Sequence, residues 1–362
     1  MALVTEVAAP YRIPVFNELD ELLGGRLDVI FISETESRRD WRLPEEEIAF
    51  RHHVLGGVQF SVPYRGDRQP VYLARPLLPL LLRRRYGTVV VGGWNHLESL
   101  WALLYAKGWR RRLVLWSETP LLGEVPRRPL RSAWKRAVIG ASDAFVVPGP
   151  SAGRYLVAHG ADSERIFVAP NAVDTAFWGD DPGAAPARES IGIVLLYSGR
   201  LVASKGLDLA FAALARSRLA GRAELLVAGD GPERDALEAA APPGVRFLGP
   251  QTPAELRALY HRADMLLFPS RYDPWGLVVN EAACASLAAI ASDSAGATRD
   301  LLEDGKNALV FRGGDGESLR QAFDRLADDP SLAARLGRAA AGIAATNSPA
   351  ACAAGLLRAI EP

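Results

Sequence analysis

Short apolar runs rich in Val, Ile and Leu recur along the chain between longer stretches with helical spacing. That is the rhythm of parallel strands covered by helices. In the first half the runs at 3–7, 27–33, 88–91, 112–116, 144–147 and 166–169 predict strands. Helical patterns are expected between them, at 15–23, 76–85, 98–107, 129–140 and 152–159. The order predicts one Rossmann-like unit.

A stretch of Gly, Pro, Ala and Asp after Trp178 has no periodicity, as expected of a linker. The rhythm then restarts, with strands expected at 192–197, 224–228, 245–248, 265–268, 288–291 and 308–311. Helices are expected at 207–216, 253–262, 277–285 and 317–327, and an Ala-rich pair at 331–345 and 349–360 closes the sequence. The expected division is a first domain over 1–178, a linker over 179–189 and a second domain over 190–346. A final helix at about 347–362 is expected to pack back on the first domain. In doubly wound folds ligands lie beyond the carboxyl ends of the strands. Two such units therefore suit a reaction between two substrates, one held by each half.

Composition agrees with a folded enzyme of 362 residues, 49% hydrophobic and 23% charged. Cys284 and Cys352 sit in apolar contexts without metal-ligand spacing, which argues against a disulfide framework or a zinc site. The N-terminal stretch lacks a basic leader, and the most apolar segment, 71–82, is interrupted by Arg75, Pro76 and Pro79. It falls short of the roughly 20 residues of a spanning helix, so a cytoplasmic location is expected. The formal charge is zero, from 42 basic and 42 acidic side chains, which gives no global field for nucleic acid. The zero conceals a split: residues 51–150 carry 16 Arg/Lys against 5 Asp/Glu, a local net of +11. Five of the eight tryptophans lie in the same segment. Solvated helix faces in an Arg-rich chain explain part of this. An anionic partner, either a phosphorylated substrate or an acidic lipid layer, is the functional alternative.

Three strand-end segments of the second half converge on a bound diphosphate. In Ser198-Gly199-Arg200-Leu-Val-Ala-Ser-Lys205-Gly206, an Arg and a Lys five apart on a strand-to-helix loop can both face phosphate, with glycines where the backbone must approach closely. The segment Asp273-Pro274-Trp275-Gly276-Leu277 leads to Glu281. Asp then Pro predicts an N-cap followed by the first helical residue, with amides around Trp275, Gly276 and Leu277 turned to an anion. On that helix Glu281 would lie about 80° round from Asp273, so both carboxylates would face one cleft. The third is the turn Ala228-Gly229-Asp230-Gly231-Pro232-Glu233, weak alone and stronger in this company.

These residues resemble the family 4 glycosyltransferases, retaining enzymes of the GT-B fold. The resemblance rests on the Gly199, Arg200 and Lys205 loop, the AGDGPER turn at 228–234, the stretches 246–270 and 272–283, and PNAVDTAFW at 170–178. It implies an α/β fold of two Rossmann-like domains facing across a deep cleft. It further implies sugar transfer from a UDP- or GDP-type donor to an acceptor hydroxyl, in cell-envelope polysaccharide, glycolipid or natural-product glycoside synthesis, with no metal and no other cofactor. Carried over, Arg200 and Lys205 meet the donor diphosphate, Asp273 the sugar hydroxyls and Glu281 the ribose. Gly276 and Leu277 give amides to phosphate, and the base lies near Phe247 to Pro250, where Leu248 and Gly249 stand. Gly199, Gly229 and Trp275 complete the expected donor site.

The sequence departs from the family pattern in two places. Asp273 stands where the family usually has Glu. The family's first-domain His is absent from Leu115-Trp116-Ser117-Glu118-Thr119-Pro120, leaving Ser117 and Glu118 as positional substitutes and His96 as a neighbouring candidate. Acceptor contacts are expected from Tyr11, Arg12, Trp94 and Asn95. The acceptor is lipid-linked or phosphorylated on one reading, soluble on the other, and the +11 segment would touch the inner face of a membrane on the first. An epimerase or phosphorylase of the same architecture, or a binding module without catalysis, is the alternative function. A dinucleotide oxidoreductase is disfavoured, because Ala8-Ala9-Pro10-Tyr11 follows the first strand where a GxGxxG would be needed.

Overall fold

The computed structural model describes residues 1–34, 45–64, 67–94, 96–121, 129–181, 183, 192–329 and 331–361. The chain divides into two compact units, the first over Met1–Tyr64, Arg68–Val173 and Asn347–Pro362, the second mainly over Asp174–Thr346. Of the expected linker, 182 and 184–189 lie outside the described residues.

The first unit runs β1 (Ala2–Thr5), α1 (Ile13–Leu22), β2 (Asp28–Phe31), β3 (Arg51–Val54), β4 (Gly57–Tyr64), β5 (Asp67–Ala74), α2 (Leu78–Arg84) and β6 (Thr88–Gly92). It continues with α3 (Leu97–Gly108), β7 (Arg112–Trp116), α4 (Pro129–Ala141), β8 (Ala144–Val147), α5 (Pro150–Val157) and β9 (Ile166–Val168). Among the described residues its main sheet has seven strands in the order β3-β2-β1-β6-β7-β8-β9. All of its pairings are parallel. Alternate residues enter different cores: Val4, Val89, Val91 and Leu113 on one face, Leu3, Val29, Val90 and Val114 on the other. Burial on both faces is why these strands read as continuous apolar runs.

The second unit contains α6 (Thr175–Gly179), β10 (Ile193–Ser198), α7 (Leu207–Ala215), β11 (Ala223–Ala228), α8 (Arg234–Ala240), β12 (Val245–Gly249), α9 (Pro253–Arg262) and β13 (Met265–Phe268). It ends with α10 (Val278–Cys284), β14 (Ala289–Ser292), α11 (Gly296–Leu301), β15 (Ala308–Phe311), α12 (Gly316–Asp328) and α13 (Leu332–Thr346). Its parallel sheet has the order β12-β11-β10-β13-β14-β15 among the described residues. The chain then returns to the first unit with α14 (Pro349–Ile360), whose Cys352, Ala353, Leu356 and Ala359 join the core around Leu3 and Val29.

Both sheets are doubly wound, and in each the strand order reverses beside the first strand, between β1 and β6 and between β10 and β13. Loops leaving those four strands therefore flank the two switch points, where ligands bind in such folds.

Several expectations need correction. Strand β3 and the β4–β5 ribbon, which forms a two-stranded sheet of its own, have no counterpart in the expected elements. Their apolar residues do not form the buried runs that mark the central strands. The short helices α6, α8 and α11 were also not among the expected elements. The helix carrying Glu281 runs over Val278–Cys284, close to the expected 277–285, so it is the Asp273-Pro274 capping reading that needs correction.

Candidate functional site

In the second unit the loops after β10, β11 and β12 are laced by their glycines. The Gly199 amide donates to the Ala228 carbonyl at 3.0 Å, and the Gly229 amide to the Gly249 carbonyl at 2.8 Å. Gly229, at φ +136°, admits no side chain: a Cβ there would stand 1.9 Å from the Gly199 carbonyl oxygen. Glycine is required here because three backbones meet, beyond any local turn preference.

The two loops at the switch point carry the charged groups. Lys205 lies in a short turn that Gly206 ends in the left-handed region, at φ +71°. Its Nζ donates to Asp273 Oδ2 at 2.5 Å, across 68 residues of sequence. Arg271 fixes the same two loops, with a bidentate pair to Asp208 and a bond to the Ala203 carbonyl. Arg200 is half-buried at the end of β10, and its carbonyl accepts from Tyr197 Oη at 2.7 Å.

Asp273 sits in the loop before α10 and does not cap it. Its Oδ1 accepts from the Trp275 amide at 3.1 Å, a tight turn on its own backbone. The segment also pairs with the loop between β14 and α11, where the Asp273 amide donates to the Ser294 carbonyl and the Gly296 amide to the Asp273 carbonyl. Asp273 and Glu281 therefore do not lie 80° apart on one helix: only Glu281 is helical, and the loop sets the direction of the first acid. The Trp275 side chain is buried in the core, its Nε1 donating to Asn280 Oδ1 at 2.9 Å. Its ring is structural, and its amide is already engaged. Among the described residues the Gly276 and Leu277 amides make no hydrogen bond within the protein.

Glu281 Oε2 accepts from the buried Tyr260 hydroxyl at 2.6 Å. Burial, and then the Glu281 charge, push the Tyr260 pKa well above its usual range, so this hydroxyl remains a donor. Tyr260 lies on the apolar face of α9, 21 residues from Glu281, and nothing local in the sequence marks the partnership. Leu248 is half-buried and its carbonyl accepts from Gln251 Nε2 at 2.9 Å; Gly249 follows at φ +73°.

The first unit places a second polar set at its own switch point. Arg12 donates to Glu118 Oε1 at 2.6 Å and to Thr5 Oγ1 at 3.3 Å, and its guanidinium lies 4.6 Å from the Trp116 ring centre. Burial alone would lower the Arg12 pKa, yet the Glu118 charge raises it further still. Tyr11 lies beside the same guanidinium, 5.8 Å away. His96 Nε2 pairs with Glu6 Oε1 at 2.7 Å. Burial disfavours the imidazolium, but the Glu6 hydrogen bond and charge outweigh it and raise the His96 pKa above 6.5.

Glu6 had no place among the expected site residues, because its partner is 90 residues away. Ser117 is buried, with an Oγ that has no hydrogen-bond partner among the described residues. Trp94 is also buried, its carbonyl accepting from Trp134 Nε1 and its ring 4.8 Å from Lys135 Nζ. Asn95 lies outside the described residues.

Two parallel, doubly wound units, each with charged loops at its switch point, define the class: the GT-B architecture of nucleotide-sugar transferases. HepE of Anabaena, solved with UDP and glucose, has the same fold, with a TM-score of 0.74 at 17% identity over 99% of this chain and 98% of its own. Sucrose-phosphate synthase of Thermosynechococcus elongatus matches with a TM-score of 0.74 at 18% identity, over 99% and 97% of the two chains. Residues 17–177 match the family described as Glycosyltransferase Family 4, and residues 186–342 match Glycosyl transferases group 1. The chain belongs to these glycosyltransferase families.

Among individual relatives, the glycogen synthase of Mycobacterium tuberculosis is 36% identical over 182 residues, 49% of this chain and 43% of the relative. The D-inositol 3-phosphate glycosyltransferase of Streptomyces bingchenggensis is 28% identical over 329 residues, 83% of this chain and 67% of the relative. The corresponding protein of Nocardia farcinica is 31% identical, over 65% of this chain and 56% of its own. The chain thus spans about half the length of the first of these relatives.

Proposed function

We propose that the protein is a retaining glycosyltransferase that moves a sugar from a UDP- or GDP-type donor to an acceptor hydroxyl. The observation that carries this reading is the Lys205–Asp273 pair at the switch point, beside three loops closed by Gly199, Gly229 and Gly249. Donor binding to the second unit is supported by the complexes of HepE with UDP and with UDP-glucose. The inositol-phosphate glycosyltransferases among the relatives support a hydroxyl acceptor.

Each residue then has a chemical task. Lys205, the Arg200 guanidinium and the Gly276 and Leu277 amides stabilise charge on the leaving diphosphate. Asp273, turned by its own backbone and held by Lys205, accepts hydrogen bonds from the sugar's hydroxyls. Glu281, oriented by Tyr260, does the same for the ribose, and the base stacks near Phe247 to Pro250. The bond from the sugar's anomeric carbon to the phosphate oxygen breaks as the acceptor oxygen attacks from the same face. The acceptor proton passes to the departing phosphate oxygen. The first unit offers Tyr11, Arg12, Glu118 and His96 to the acceptor, which is lipid-linked, phosphorylated or a soluble hydroxyl compound. The basic segment 51–150 would hold the enzyme against an anionic bilayer.

A panel of UDP- and GDP-sugars, followed by thermal shift and by released nucleoside diphosphate, tests the assignment. One donor should stabilise the protein, and both Lys205→Ala and Arg200→Ala should lower turnover by about 10² or more while the fold persists. Near-normal turnover in both variants would sink the site. Isomerised donor, or release that depends on inorganic phosphate, would replace transfer by epimerase or phosphorylase chemistry.

A further inference from the structure

Both ion pairs at the switch point of the first unit are built with the cation inside and the carboxylate outside. The Glu6 side chain is 43% exposed and its partner His96 8%; Glu118 is 30% exposed and its partner Arg12 15%. Arg12 is covered by the Trp116 ring and tied to Thr5, and His96 lies beside the buried Tyr72 ring. The four residues stand at the carboxyl ends of three adjacent strands: Glu6 and Arg12 follow β1, His96 follows β6 and Glu118 follows β7. Glu6 leans toward the end of β6 to reach His96, and Glu118 toward the loop of β1 to reach Arg12. A ligand arriving at this edge therefore meets the two carboxylates before either cation.

Two buried polar atoms lie around the pairs. Ser117, next to Glu118, is 1% exposed, with an Oγ that has no hydrogen-bond partner among the described residues. Leu113 and Leu115 on the same strand pack in the core that holds Tyr72 and Trp94, so a period of two turns Ser117 to the side of the sheet where His96 lies. Glu98, two residues from His96 and also 1% exposed, keeps an Oε2 without such a partner. Buried polar atoms are ordinarily hydrogen-bonded, and two orphans on this edge mark a place for a polar ligand.

The sign of the outward groups selects that ligand. An ionised carboxylate only accepts hydrogen bonds, so it suits hydroxyls, which donate. A phosphate group set against it meets like charge, and such juxtaposition is how sites reject wrong partners. Each carboxylate is neutralised from behind by its own cation, so the edge does not call for a cationic ligand either.

We infer that the first unit takes as acceptor an uncharged sugar or polyol whose hydroxyls donate to Glu6 and Glu118, and that the same two carboxylates keep phosphate away from this edge. Arg12 and His96 hold them in place from the inner side. The inference deepens the transferase reading above and rests on it, choosing among the acceptors which that reading allows.

The test uses the full chain with a panel of UDP- and GDP-sugars. The acceptors are neutral sugars and polyols, each paired with its monophosphate, myo-inositol and glucose among them. Released nucleoside diphosphate should show each neutral compound used at least about tenfold better, in kcat/KM, than its phosphate. Glu6→Gln and Glu118→Gln should each raise KM for the neutral acceptor about tenfold, leave the donor KM unchanged and narrow the discrimination against phosphate. The comparison of acceptors on the natural protein needs no variant, so it decides the matter even where a glutamine variant fails to fold. If the phosphorylated member of a pair is the better substrate, the acceptor assignment falls and the transferase reading stands. A donor that stabilises the protein but is transferred to no member of the panel has the same meaning. Folded variants that keep the natural acceptor KM would remove Glu6 and Glu118 from acceptor selection. If no donor binds or is turned over, the transferase reading falls and the acceptor assignment with it.

Discussion

The charged residues act through partners far away in sequence. Lys205 meets Asp273, Tyr260 meets Glu281, Arg12 meets Glu118 and His96 meets Glu6. Their types were legible in the sequence, because Arg and Lys between strand-end glycines suit phosphate. Their partners were not, since nothing within a window of ten residues distinguishes Tyr260 from any apolar-face tyrosine. The His96–Glu6 pair gives a pH signature with a definite sign. A histidine whose pKa is raised on folding contributes its stabilisation fully below its unfolded value of 6.5, and loses it as pH rises through the raised value. The melting-temperature gap between the natural protein and Glu6→Gln should therefore be widest near about pH 6 and close toward about pH 9. A gap that is constant across that range would remove the charged pair from the stability of the first unit.

At the scale of elements, the central strands and the longer helices follow from burial on both faces of a parallel sheet. Helix α9 and strands β7, β8, β13 and β15 lie over the very residues expected. The exceptions share a physical cause. The β4–β5 ribbon turns its apolar row outward, so its pattern does not signal a core strand. Asp273 does not cap α10 because it bonds the Trp275 amide in a turn, leaving its capping chemistry spent before the helix begins. Helix α14 depends on one close approach. A Cβ on Gly355 would lie 2.3 Å from the Val168 carbonyl oxygen and 2.6 Å from Ala169 Cα. Arg112 secures the far end of that helix, its Nε and Nη2 both donating to the Ala359 carbonyl. Gly355→Val should push α14 away from β9 and destabilise the first unit by about 1–3 kcal/mol. Chemical denaturation followed by far-ultraviolet circular dichroism would read that loss, and an unchanged midpoint would show that the contact is not limiting.

Over the whole molecule, each unit has cores on both faces of its own sheet. Stabilisation by a ligand of the second unit should therefore be confined to that unit. With the nucleoside diphosphate at about 100 times its Kd, scanning calorimetry should show one transition raised by about 2.7 kcal/mol of stabilisation and the other unmoved. An equal shift of all unfolding heat would mean that the two units melt as one. By itself the sequence determined the tandem α/β rhythm, the glycine-flanked loops and the kinds of charge they carry, since burial and close backbone approach restrict residue choice locally. The tertiary structure decided which carboxylate meets which cation, and that Trp275 is core while, among the described residues, the Gly276 and Leu277 amides make no hydrogen bond. The physical reason is the parallel sheet. Crossover helices return each strand in the same direction, so segments 68 or 106 residues apart end on one edge. The strand order that selects neighbours on that edge is a property of the packed sheet, written in no single stretch of the chain.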